Sequence, residues 1–161
     1  MKKIFLNLFV LAAVVFATSC SSDDDNDNDG GSEGQMVVTI DGEVVTFNSV
    51  IVNEYTYTED DYEYTEYDIT ATVDNATGRI ITFYFFEGDL GADSIYDFYY
   101  TLDGAGYYPY NCNNYDFASV VTVNNGSRFE ANFSGTLCAW DNANQQEVSL
   151  SLTNGSISVD L

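Results

Sequence analysis

Met36-Val37-Val38-Thr39-Ile40-Asp41-Gly42-Glu43-Val44-Val45-Thr46-Phe47-Asn48 reads as two strands joined at Asp41-Gly42. That pair suits a type I′ turn, because both positions tolerate positive φ. From this hairpin onward no helical period is evident. Short runs rich in Val, Ile, Thr, Tyr and Phe recur between Gly, Asn and Asp clusters, the pattern of an all-β chain. Val50 to Thr58 is the next strand, and the acidic, Tyr-bearing stretch Glu59 to Glu66 is expected to loop or project. In Tyr67 to Val73, Ile69, Ala71 and Val73 alternate inward against Asp68, Thr70 and Thr72. A turn at Asp74 to Gly78 leads to Arg79 to Glu87, partly apolar on both faces and suited to a central strand.

Ile95 to Leu102 makes a further strand, broken by Asp103-Gly104-Ala105-Gly106. Phe117 to Val123 and Arg128 to Trp140 flank Asn124-Asn125-Gly126. Glu147 to Leu152 and Ser156 to Leu161 are expected to form a last hairpin around Thr153-Asn154-Gly155. Sequential hairpins without helical crossovers predict a single antiparallel β-sandwich or barrel of roughly nine strands.

The chain upstream of this domain has a different character. Met1-Lys2-Lys3 is basic, Ile4 to Phe16 is apolar apart from Asn7, and Ala17-Thr18-Ser19 is small or polar before Cys20. This is the three-part pattern of a signal peptide, and its apolar run of about 13 residues is shorter than the roughly 20 that span a bilayer as a helix. Ala17-Thr18-Ser19-Cys20 resembles the lipobox of bacterial lipoproteins, which implies cleavage before Cys20 and acylation of its thiol and amino group. Two or three acyl chains suffice for stable anchoring. Ser21 to Gly34 has almost no apolar side chain and is expected to be a solvated acidic tether. A cysteine followed by Ser and an acidic run also resembles the surface-export signal of Bacteroidota lipoproteins. That implies an outer-membrane, cell-surface address, with the periplasmic face as the alternative. The organisation is therefore signal peptide 1–19, acylated cysteine and tether 20–35, and β-domain 36–161.

Composition removes several function classes. Without the signal, all 26 acidic residues face only Arg79 and Arg128, a charge balance that repels phosphate backbones and excludes nucleic acid as a partner. Histidine is absent and lysine stops at Lys3, so His-based triads, His metal sites, Schiff-base lysines and P-loops are excluded together. No cofactor is implied. Asp25-Asn26-Asp27-Asn28-Asp29-Gly30 matches the first half of a calcium loop through Asp25, Asp27 and Asp29, but position 12 falls on Met36 rather than Glu. With Cys20 acylated, Cys112 and Cys138 are left in an oxidising compartment, where a disulfide is expected. It would contribute on the order of 3 kcal/mol in the chain-entropy account.

Ser134-Gly135-Thr136-Leu137 and Val148 to Ile157, with Thr153-Asn154-Gly155-Ser156 at the centre, together with the opening Val38-Thr39-Ile40-Asp41-Gly42, resemble a family of small Bacteroidota lipoproteins. That family has an ATIDG-type opening hairpin and a TNGSF-type C-terminal hairpin. Leu137 and Ile157 stand where it usually has Phe. The resemblance implies address and fold and carries no activity. Asp93-Ser94-Ile95 further resembles the acceptor for O-glycosylation of exported Bacteroidota proteins, which implies Ser94 on an exposed loop.

Thirteen tyrosines point to a surface. Tyr55, Tyr57, Tyr62, Tyr64 and Tyr67 around the acidic stretch, and Tyr107, Tyr108 and Tyr110 beside Pro109, pair an apolar ring with a hydroxyl, as glycan- or protein-contact surfaces do; Tyr62, Tyr64, Tyr67, Tyr107, Tyr108 and Tyr110 are the candidate binding surface. Tyrosine also suits half-buried sheet surface for purely structural reasons. The expected function is a non-catalytic, lipid-anchored β-domain that binds a glycan or envelope protein or serves the envelope structurally. The alternative is a small glycosidase-like hydrolase using paired carboxylates, such as Asp60 with Asp61 or Glu63 with Glu66.

Overall fold

In the computed structural model, residues 34–59, 61–73 and 78–161 are described. The signal peptide, Cys20, the tether as far as Glu33, the calcium candidates Asp25, Asp27 and Asp29, and Asp60 lie outside them, whereas Gly34 and Gln35, expected to end the tether, are already strand. The strands are β1 (Gly34–Ile40), β2 (Glu43–Phe47), β3 (Ser49–Glu59), β4 (Tyr62–Thr72), β5 (Arg79–Phe86), β6 (Gly91–Ala92), β7 (Tyr96–Leu102), β8 (Ala105–Tyr107), β9 (Ala118–Asn124), β10 (Arg128–Asp141) and β11 (Gln146–Asp160). A 3₁₀ turn, Pro109–Asn111, follows β8.

Every strand pairing is antiparallel. One sheet has six strands in the order β2-β1-β11-β10-β9-β6, and the other has five in the order β3-β4-β5-β7-β8. The choice left open between sandwich and barrel is thus resolved as a sandwich. The core lies between the sheets, where residues of the two-residue period meet. Met36, Val38, Phe47, Phe129, Leu152 and Val159 face Ile69, Ile81, Phe83, Phe85 and Tyr100, all almost fully buried. Phe85 and Phe129 stack across the gap at 3.8 Å between ring centroids. Phe98 contacts Phe83, Phe117 and Phe133.

The opening turn forms as expected, with Asp41 at φ 48° and Gly42 at φ 85°. Asp41 is also pinned to the neighbouring strand: Ser151 N–H donates to Asp41 Oδ1 at 2.8 Å, and Asp41 N–H donates to Ser151 O at 2.9 Å.

Two expectations are sharpened or corrected. Glu59 to Glu66 projects as a hairpin and is not a loop: β3 and β4 stay paired to Glu59↔Tyr62, with Asp61 at φ 67° in the tight turn. The pairs Thr56↔Thr65 and Tyr57↔Tyr64 are the β-branched and aromatic cross-strand contacts that sustain a ladder. Beyond Tyr67 the hairpin overhangs the core, since Thr56, Thr58 and Glu63 on its inner side are exposed.

Thr153-Asn154-Gly155 is likewise no hairpin turn. β11 runs unbroken through it, and the register against both β1 and β10 shifts at this point. Asn154, at φ 52°, is the extra residue of a β-bulge, a position that favours Asn or Gly. Gly155 is required beside it, because a Cβ there would lie 2.5 Å from the Phe133 ring.

β10 ties the sheets together. Beyond Gly135 it leaves β9 and exchanges both backbone hydrogen bonds with Tyr108, at 2.9 and 3.0 Å. The Cys112–Cys138 disulfide, with Cα atoms 5.0 Å apart, fastens the 3₁₀ turn at the same place.

Candidate functional site: an aromatic sheet face

The two outward faces of the sandwich differ in chemistry. On the six-stranded sheet, outward positions of the two central strands are mainly small and polar, Asn132 and Ser134 on β10 and Ser149, Ser151, Ser156 and Ser158 on β11, with Val44, Val120 and Trp140 exposed singly elsewhere on its strands. On the five-stranded sheet they are dominated by aromatic rings. In β3, Tyr55 and Tyr57 point outward. In β4 the outward set is Tyr62, Tyr64, Glu66, Asp68 and Thr70, alternating with buried Tyr67, Ile69 and Ala71. In β5, Thr82, Tyr84 and Phe86 alternate with buried Ile81, Phe83 and Phe85.

β7 supplies two further rings through an irregularity. Thr82 pairs with Tyr99 and Tyr84 with Tyr96, so one residue of β5 opposes Asp97 and Phe98 together. Asp97 takes φ 47°, and this bulge keeps Tyr96 and Tyr99 outward while Phe98 enters the core. Strict alternation would have turned Tyr96 inward.

The rings form a connected network. Tyr57 stacks on Tyr64 at 5.3 Å, Tyr64 meets Phe86 edge-on at 5.6 Å, and Phe86 meets Tyr84 edge-on at 5.7 Å. Tyr84 stacks on Tyr96 at 5.4 Å. Toward the disulfide, Tyr99, Tyr108 and Tyr110 follow at 5.4 and 5.1 Å. The Tyr108 ring lies over Gly106, where an added Cβ would sit 2.8 Å from it. Aromatic pairs in such geometries contribute about 0.5–1.5 kcal/mol each beyond their burial.

The sandwich holds this face from below. Asn124 of β9 donates to Phe86 O at 2.8 Å and Asp89 O at 3.0 Å, fixing the end of β5. Asp89 in turn accepts the Tyr96 hydroxyl at 3.0 Å. Two shallow clefts open on the face, one of 390 Å³ lined by Tyr62, Tyr64, Phe86, Glu87 and Asp89, the other of 150 Å³ lined by Asp97, Tyr99, Tyr108 and Tyr110.

Its electrostatics are uniformly anionic. Partial burial, then the nearby Glu66 and Asp68 carboxylates, push the Tyr57 phenol above its ordinary value. Burial followed by Asp97, Glu66 and Asp68 does the same at Tyr84, and burial followed by Tyr108 and Asp97 at Tyr110. The phenols are therefore protonated at neutral pH and able to donate hydrogen bonds. The Glu66 carboxyl is itself raised, first by desolvation and then by Asp68. Neither arginine reaches this face. Arg79 is held by Glu43 through two contacts of 3.2 Å, and Arg128 lies on the opposite sheet with Glu130 and Asp160.

Of the tyrosines singled out from sequence, Tyr55, Tyr57, Tyr62, Tyr64, Tyr108 and Tyr110 belong to this face. Tyr67 does not: it is 5 % exposed and stacked on Phe85 at 5.3 Å, because β4 alternates about it. Tyr107 also turns inward, toward buried Tyr100. Ser94 is not on an exposed loop. Its hydroxyl is buried and donates to Leu90 O at 3.3 Å, a position unsuited to glycosylation of the folded chain. Glu63 and Glu66 lie on opposite sides of β4 and do not converge. Tyr84, Phe86, Tyr96, Tyr99, Asp68 and Asp97 were missed, and Glu66 was read only as a member of a carboxylate pair. The two-residue period could have revealed Tyr84 and Phe86, but Tyr96 depends on the bulge.

Among the described residues no helix is long and apolar enough to cross a membrane. Comparison with protein-family models, with curated proteins and with solved structures finds no match to the chain.

Proposed function

We propose that this protein is a non-catalytic binding domain, lipid-anchored through Cys20 on the outer membrane and exposed at the cell surface, that presents the aromatic face of its five-stranded sheet to a glycan or protein partner. The observation that carries the binding reading is the connected ring network from Tyr57 to Tyr96. A sandwich needs only one buried face per sheet. The six-stranded sheet meets that need with a Ser- and Asn-rich exterior, whereas the five-stranded sheet spends many large rings on its outside. Contiguous half-exposed aromatic surface of this kind marks interaction sites.

The test has an address readout and a binding readout. In cells fed an alkyne fatty acid, the wild-type chain takes up the label and Cys20→Ser does not; label persisting in the variant overturns the anchor. The full chain is then applied to a neutral glycan array and to a panel of peptides of varied charge. Retention of one class, lost in Tyr57→Ser/Tyr84→Ser, supports the binding face. Silence of a folded chain across both panels leaves a structural envelope role instead.

A further inference from the structure

Sheet side chains stand roughly perpendicular to the backbone, and here neighbouring rings cover one another. The faces of Tyr57 and Tyr64 are turned to each other at an interplanar angle of 25°, and those of Tyr84 and Tyr96 at 24°. A pyranose ring stacks on an open aromatic face, and these paired rings offer outward edges and hydroxyls instead. Between them stand Glu66 and Asp68, side by side on the outward positions of β4. At the other end, Asp97 projects beside Tyr99, Tyr108 and Tyr110 around the 150 Å³ cleft.

Carboxylates and phenol oxygens with no counter-charge form a surface complementary to a cation. Both accept the N–H donors of ammonium and guanidinium groups, while the ring edges pack against the aliphatic stems of Lys and Arg. The chain's own arginines are occupied elsewhere by Glu43, Glu130 and Asp160. Resting on the binding reading above, we infer that the ligand of this face is a Lys- or Arg-rich segment of a protein partner. One basic side chain enters the cleft at Asp97 and another meets Glu66 and Asp68.

The inference is tested on the full chain by calorimetric titration with a Lys/Arg-Gly repeat peptide and with neutral oligosaccharides. The expected result is peptide binding that weakens about tenfold in Glu66→Gln/Asp68→Asn/Asp97→Asn, the sum of three partly exposed charge contacts. A charge-matched variant away from the face, Glu54→Gln/Glu63→Gln/Asp160→Asn, is expected to retain wild-type affinity. Equal weakening in both variants means diffuse attraction to an acidic protein and overturns the inference. Oligosaccharide binding without peptide binding overturns it too, while leaving the binding face intact. If neither probe binds a folded chain, both readings fall.

Discussion

Phe129 shows how much of this protein turns on single side chains: fully buried, it stacks on Phe85 and touches Phe83, joining the two sheets at the middle of the core. Phe129→Ala removes the ring and leaves a cavity that rigid sheets fill poorly, at a cost of about 3–5 kcal/mol. Urea denaturation of the variant should give a midpoint lowered accordingly with the slope unchanged. At the same scale, the tyrosines show what sequence can and cannot reveal. Tyr62, Tyr64 and Tyr67 look alike within one acidic stretch. Yet parity alone sends Tyr67 into the core, and the inward alternation of Ile69, Ala71 and Val73 contained that information. Ser94 carried no such signal, because its burial follows from how the segment around β6 folds against β9.

At the scale of elements, the strands were legible and their ends were not. The residue pattern identified the opening hairpin, β3, the second half of β4, β5, β7, β9 and β10. A Tyr/Thr hairpin that overhangs the core has no buried side to mark it as strand, so Glu59 to Glu66 read as a segment that loops or projects. A bulge in a central strand uses the same Asn-Gly chemistry as a hairpin turn, so β11 read as two strands. The bulge at Asp97 had no sequence mark, although it decides where Tyr96 points.

The element most dependent on a covalent link is the 3₁₀ turn carrying Tyr110, which the Cys112–Cys138 bridge and the Tyr108 hydrogen bonds fasten to β10. Cys112→Ser/Cys138→Ser should lower stability by about 3 kcal/mol. It should also raise amide exchange across Tyr108 to Asn113 well before the core opens. Equal exchange in this segment and in β5 would show that the bridge does not hold the turn.

For the whole molecule, the account rests on an asymmetry between two outward faces. Composition already indicated an aromatic, acidic surface. It could not indicate that the rings and carboxylates gather on one sheet, because that depends on the register of five strands far apart in sequence. The sandwich, its core and its disulfide explain how this face is held. The acyl anchor proposed at Cys20 would set the domain off from the membrane on its acidic tether.

The most direct test of the claim that this face binds is a comparison of one bulky cation placed on each side. Thr70→Arg lies on the aromatic face and Ser156→Arg on the small, polar face opposite. Titrating wild type and both variants with whichever probe the panels retain, the account predicts that Thr70→Arg loses binding and Ser156→Arg keeps it. Binding unchanged in Thr70→Arg, or lost in Ser156→Arg, would contradict it.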